Sequence, residues 1–168
     1  IIPSSVTSIG EYAFNDCTSL AEIILPEQLK EINQFTFTNC NSLTKVTIPN
    51  SVSSIGNDAF KDCKSLTEIV IPDSVTDIGK GTFCECSSLA KVTLPSSITV
   101  LNEAMFIKCT TLAQIEIPQS VTVIENDAFN GCTALNKVVL PSALVKIKDN
   151  VFNGCSLVTQ FEFPESLT

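Results

Sequence analysis

Residues 48–71 read I-P-N-S-V-S-S-I-G-N-D-A-F-K-D-C-K-S-L-T-E-I-V-I, and the proline, phenylalanine and cysteine in this stretch each recur along the chain at a fixed distance. Proline stands at Pro3, Pro26, Pro49, Pro72, Pro95, Pro118, Pro141 and Pro164, 23 residues apart every time. Phe14, Phe37, Phe60, Phe83, Phe106, Phe129 and Phe152 keep the same step, as do Cys17, Cys40, Cys63, Cys86, Cys109, Cys132 and Cys155. Three residue types in one register without an insertion mark a repeat architecture. The units run 3–25, 26–48, 49–71, 72–94, 95–117, 118–140 and 141–163, and residues 1–168 read as a single repeat domain.

Within a unit the residues divide into faces. In residues 20–32, Ile23 and Leu25 alternate with Glu22 and Ile24, the period-2 signal of a half-buried strand. The alternation returns at Val46/Ile48, Ile69/Ile71, Val92/Leu94, Ile115/Ile117, Val138/Leu140 and Phe161/Phe163. So short a unit cannot bury its apolar side alone; neighbours stack, and equivalent strands pair in parallel. At the usual strand spacing, seven such coils make a rod of roughly 34 Å.

Each strand stops at a proline, which lacks the ladder donor. Two residues on, Ser5, Ser51, Ser74, Ser97 and Ser120, with Gln28 and Ala143 as exceptions, predict a row of hydroxyls satisfying turn backbone. A second extended stretch ends at Gly10, Asn33, Gly56, Gly79 and Asn102, types that accept a positive φ. Glu125 and Lys148 interrupt that column, which predicts a different or strained turn there. Glu11-Tyr12-Ala13-Phe14 and its equivalents then predict one short helical turn.

The pattern I-P-x-S-V-x-x-I-G-x-x-A-F-x-x-C-x-S-L-x-x-I-x-I, nearly unbroken over residues 48–71, resembles the BspA-like leucine-rich repeats, a class of 23 residues. The resemblance covers essentially the whole chain. It implies a leucine-rich-repeat solenoid, a mainly β, right-handed superhelix without long helices. It also implies kinship with surface proteins of bacteria and parasitic protists, several of them used in attachment to host or matrix. The chain opens inside a unit, at Ile1-Ile2-Pro3, so it reads as an excerpt of a longer array without caps.

Ten basic residues, all Lys, stand against eighteen acidic ones, a net charge of −8. Nucleic-acid binding needs clustered Lys and Arg, so this surface excludes it. No apolar run reaches the roughly 20 residues of a membrane span, so direct insertion is not expected. With no histidine in the chain, Ser-His-Asp and Cys-His catalysis lack their base and His-bearing zinc sites lack a ligand. The six glycines are scattered, so no phosphate loop forms. Glu116 and Glu162 project from the strand face with Val139 between them, solvated and without the burial that tunes a catalytic carboxylate. Neither an enzyme nor a cofactor is implied.

The cysteines read either as a disulfide framework of a secreted protein, which the coil spacing permits, or as a row of buried free thiols; seven in register cannot all pair and parallel equivalents aim their Cβ atoms alike, which favours free thiols. Cys84 aligns with Asn15, Lys61 and Ile107; it is expected to face outward as a reactive thiol or as an idle surface substitution.

The strand face is where a repeat protein of this kind binds. Its outward pairs are Glu22/Ile24, Lys45/Thr47, Glu68/Val70, Lys91/Thr93, Gln114/Glu116, Lys137/Val139 and Gln160/Glu162. The alternation Glu22, Lys45, Glu68, Lys91 is either a charged recognition strip or a cross-strand ladder. A lateral patch, Tyr12 and Phe35 in adjacent units, is either a partner anchor or a shield over the solenoid's end. Val100, Val123 and Ile107 form a similar apolar departure. Without Trp or Arg, affinity is expected from avidity across an array.

Three functions follow: a cell-surface or secreted module attaching to host, matrix or partner proteins; a cytoplasmic scaffold, which free thiols and the absence of an N-x-S/T sequon favour; or a spacer. The open coil ends also predict end-to-end self-association.

Overall fold

Strands this short hold only as members of a stack, and the solenoid assembles them in that way. The computed structural model describes residues 2–167. In chain order its strands are β1 (Glu22–Ile24), β2 (Glu31–Ile32), β3 (Lys45–Thr47), β4 (Ser54–Ile55), β5 (Glu68–Val70) and β6 (Asp77–Ile78). There follow β7 (Lys91–Thr93), β8 (Val100–Leu101), β9 (Gln114–Glu116), β10 (Val123–Ile124), β11 (Lys137–Val139) and β12 (Lys146–Ile147). All pairing is parallel between equivalent positions, Glu22 opposite Lys45 and Ile23 opposite Val46 for example. The three-residue strands form the front face and the two-residue strands the back.

The ladders are interrupted, which the repeat alone does not announce. Front strands pair in twos, β1–β3, β5–β7 and β9–β11; back strands join in threes, β2–β4–β6 and β8–β10–β12. Pairing in twos leaves residues 160–162 without a ladder, so the seventh front strand expected there is absent.

The expected helical turn is replaced by a run of turns, and no helix occurs among the described residues. The reason lies in the amides. Those of Tyr12, Phe14 and Asp16 leave their own segment for Gln34, Thr36 and Thr38 carbonyls of the next coil, at 3.4, 2.9 and 2.9 Å. Only the amides between them close local turns, Ala13 onto Gly10 and Asn15 onto Tyr12. A helix would need every amide for itself.

This zigzag also moves the left-handed backbone. Positive φ falls not on the glycine–asparagine column but two and six residues later, as at Tyr12 and Asp16 (both 59°) and Asp58 and Asp62 (51° and 58°). Gly56 and Gly79 serve close approach instead: a Cβ would lie 2.4 Å from the Gln34 nitrogen and 2.5 Å from the Asn57 nitrogen. Glu125 and Lys148 do not disturb their turns. Their amides donate to Leu101 and Ile124 carbonyls at 2.9 and 3.0 Å, as Gly56 does to Ile32 at 2.8 Å, and their side chains meet at 2.6 Å. Asn33 and Asn102 behave differently: their side-chain Nδ2 atoms take the Ile9 and Ile78 carbonyls, each at 2.8 Å. Each three-stranded back sheet begins on the coil that carries one of these asparagines.

Inside, the phenylalanines form one column from Phe14 to Phe152, successive ring centroids 5.3 to 5.7 Å apart and rings within 9° of parallel. Phe37, Phe60, Phe83, Phe106 and Phe129 are fully buried. The cysteines line up beside them, and each thiol donates to the phenylalanine carbonyl of the preceding coil, from Cys40 to Phe14 (3.1 Å) through Cys155 to Phe129 (3.2 Å). The serine row forms as expected: Ser51, Ser74, Ser97 and Ser120 donate to Leu29, Val52, Val75 and Ile98 carbonyls at 2.6 to 2.8 Å.

Candidate functional site

On each front strand the middle residue points inward and its neighbours outward, so Glu22, Ile24, Lys45, Thr47, Glu68, Val70, Lys91, Thr93, Gln114, Glu116, Lys137 and Val139 are all exposed. Ile24, Val70 and Val139 are 72%, 52% and 44% exposed, large apolar side chains on a face otherwise charged or polar. Gln160 and Glu162 are exposed too, in a segment that carries no ladder. Phe161 tilts at 42° onto Phe152 with centroids 4.6 Å apart, and Phe163 is 59% exposed.

The charged alternation is resolved only in part into a ladder. Register places Glu22 beside Lys45 and Glu68 beside Lys91, and the second pair closes at 3.4 Å between exposed side chains. Such a pair contributes little to stability. Lys45 and Glu68 fall on opposite sides of a ladder break.

Two open grooves of about 800 Å³ each lie over the breaks in the front ladder. One spans β3 and β5, reaches Thr93 of β7 and is rimmed by Asn50 and Asp73; the other spans β7 and β9, reaches Lys137 and Val139 of β11 and is rimmed by Ser96 and Gln119. The rim residues escaped the reading of the sequence, although a signal existed: the position after every proline is polar, from Ser4 and Glu27 to Ser142 and Glu165. Here Asp73 accepts from the backbone N–H and the hydroxyl of Ser96, at 2.8 and 3.0 Å. Those bonds, the backbone one first, hold its carboxyl below the usual carboxylate range.

Tyr12 and Phe35 do come together, rings stacked 4.7 Å apart at 11°. Both sit on left-handed backbone, φ 59° and 57°, a costly conformation for an aromatic residue, and Tyr12 is 53% exposed. Val100 and Val123 are register neighbours on the back face, half-buried, as is Ile107.

All eight cysteines are free. Cys84 is half-buried rather than outward, and burial pushes its thiol up to about 11 against the partial relief of Lys61, so it is not an activated nucleophile. Cys40 is likewise pushed up to about 11 by burial, and Cys86 and Cys109 lie well above the ordinary value. Among the described residues no group of three or more His, Cys, Asp or Glu side chains is arranged to hold a metal ion, and no helix is long and apolar enough to cross a membrane.

The fold has close counterparts. A leucine-rich repeat protein from Bacteroides ovatus ATCC 8483 superposes with a TM-score of 0.93 at 36% identity, over 99% of this chain and 43% of its own. A leucine-rich repeat protein of T. pallidum gives 0.89 at 31% identity, over 95% of this chain and 77% of its own. A leucine-rich cell surface protein from Faecalibacterium prausnitzii A2-165 gives 0.72 at 30% identity, over 98% and 53%. The chain thus spans less than half of the first of these proteins. No curated protein matches it. The model of the BspA type leucine rich repeat region matches in six copies over residues 1–113 and 53–168. The chain belongs to the BspA-type leucine-rich repeat family.

Proposed function

We propose that this chain is a non-catalytic protein-binding module of a cell-surface or secreted protein, used for attachment to host, matrix or partner proteins. The observation that carries the reading is the front face, where Ile24, Val70 and Val139 stand exposed among lysines and carboxylates on a regular array of strands. Isolated exposed apolars are ordinary, and what supports the reading is their place on the open strand face, where repeat arrays of this kind bind. The cell-surface character of the F. prausnitzii relative supports the location. Without Trp or Arg the face lacks the usual hot-spot anchors, so binding draws on repetition along a longer array.

The test is antibody labelling of intact, unpermeabilised source cells, followed by binding of the chain to immobilised matrix and host-surface proteins. External labelling, with binding lost on Ile24→Ser, Val70→Ser and Val139→Ser together, is the expected result. Labelling only after permeabilisation refutes the surface reading. It would leave an intracellular scaffold, the reading that eight free cysteines favour because thiols stay reduced inside cells.

A further inference from the structure

Consecutive coils are held by three kinds of backbone contact: the front ladder, the back ladder and the bonds of the turn edge. Five of the six junctions between the units 3–25 to 141–163 keep at least one ladder, through β1–β3, β2–β4, β4–β6 with β5–β7, β8–β10 with β9–β11, or β10–β12. The sixth, between units 72–94 and 95–117, keeps neither. Front strands β7 and β9 are not paired, nor are back strands β6 and β8. Backbone bonds across this junction are confined to the turn edge: Gly81, Phe83 and Glu85 amides donate to Glu103, Met105 and Ile107 carbonyls at 2.9, 3.0 and 2.7 Å. The Lys80–Glu103 and Lys108–Glu85 ion pairs, both 2.8 Å, lie on the same side.

On the back face the break has an identifiable cause. At the equivalent position Gly79 and Glu125 use their backbone N–H to reach the coil before, at 2.7 and 2.9 Å. Asn102 instead places its side-chain amide on the Ile78 carbonyl at 2.8 Å. A side-chain amide reaches farther than a main-chain one, so the carbonyl is satisfied while the two backbones stand apart.

We infer that the junction between residues 94 and 95 is a hinge, its axis along the turn edge, whose opening widens the strand-face groove between β7 and β9. Away from that edge the junction is crossed only by bonds that use a side chain, Ser96 with Asp73, Ser97 to Val75 and Asn102 to Ile78 among them, and elements whose main-chain bonds lie on one edge rotate about that edge. The stacked pair Phe83 and Phe106, 5.6 Å apart, remains as the packing that returns the two halves to register. The halves 2–94 and 95–167 then move as two bodies, and the front face adjusts its curvature at mid-length rather than evenly. The inference stands whether or not the face binds a partner.

Amide hydrogen exchange and residual dipolar couplings on the intact chain test it together. Leu94 and Asn102 amides, whose counterparts Ile71 and Gly79 donate to Thr93 and Ile55 carbonyls, exchange at least about tenfold faster than those counterparts. Dipolar couplings fit two alignment tensors of different magnitude, one per half, while residues 2–71 and 72–94, which lie on the same side of the junction, yield equal tensors. Equal protection at both positions, or a single tensor for residues 2–167, overturns the hinge. In Asn102→Gly the side-chain donor is gone, so the backbone amide of position 102 is expected to take the Ile78 carbonyl and to draw the two tensors together. An unchanged difference overturns the part assigned to Asn102.

Discussion

Replacing Phe83 by alanine removes a fully buried ring from the middle of the column, where it stacks on Phe60 at 5.7 Å and on Phe106 at 5.6 Å. A buried Phe→Ala change costs about 4 kcal/mol, part transfer and part unfilled cavity. The same change at Phe14 removes a half-buried ring with one stacked neighbour, Phe37 at 5.3 Å, and solvent fills what is left. Half the burial and half the stacking predict about 2 kcal/mol there. Urea unfolding followed by far-ultraviolet circular dichroism separates the two. With a slope of about 2 kcal/mol per molar, midpoints fall by about 2 M for Phe83→Ala and about 1 M for Phe14→Ala. Equal shifts, or a loss below about 1 kcal/mol at Phe83, would show that the column is not what holds successive coils together.

The glycine column separates two explanations. Gly56→Ala is expected to cost ~1–3 kcal/mol, since its Cβ would sit 2.4 Å from the Gln34 nitrogen, whereas Gly10→Ala, with nothing within 4 Å, costs nothing measurable. Thermal unfolding of both variants checks this, and equal effects refute the close-approach account. The thiols predict an alkaline limit. Burial holds Cys132 at about 12 and Cys40 at about 11 against an ordinary value of 9.0, so as pH rises the unfolded chain loses its protons first. Stability is therefore intact below pH 9 and declines from there towards pH 12, and a urea midpoint unchanged at about pH 10 contradicts it. A thiol reagent on the native protein at neutral pH is expected to modify no residue other than half-buried Cys17 and Cys84, and those slowly, while the denatured chain yields all eight thiols. Rapid native labelling at Cys63 or Cys86 refutes the packing of that row.

The coil, its inward positions and its outward face were legible because one register repeats without slippage: Pro26 and Pro49, or Phe37 and Phe60, need only be aligned. The turn edge was harder. Glycine and asparagine at 10, 33, 56, 79 and 102 drew the expectation of left-handed backbone, yet the columns that adopt it begin at Tyr12 and Asp16. The second of these, with Asp16, Asn39, Asp62, Gly131 and Gly154, does carry the turn chemistry; Glu85 and Lys108 within it obscured the signal. The ladder breaks were not legible at all. Front strands with the same pattern pair in one junction and not in the next, and on the back face the break coincides with a side-chain amide, that of Asn102, taking the carbonyl that a main-chain amide takes elsewhere. The face was readable residue by residue, while the grooves needed the breaks before they could be seen.

Stacked coils are also a store of length. Each coil advances the rod by about 4.8 Å while holding 23 residues, which fully drawn out span roughly 76–83 Å. A load pulling on the ends of such an array is taken up by peeling coils from one terminus, and every coil released lengthens the chain more than tenfold over the rise it gave up. Each release also bares one thiol that no longer has a phenylalanine carbonyl to bond, so the count of accessible cysteines reports how far the array has been drawn.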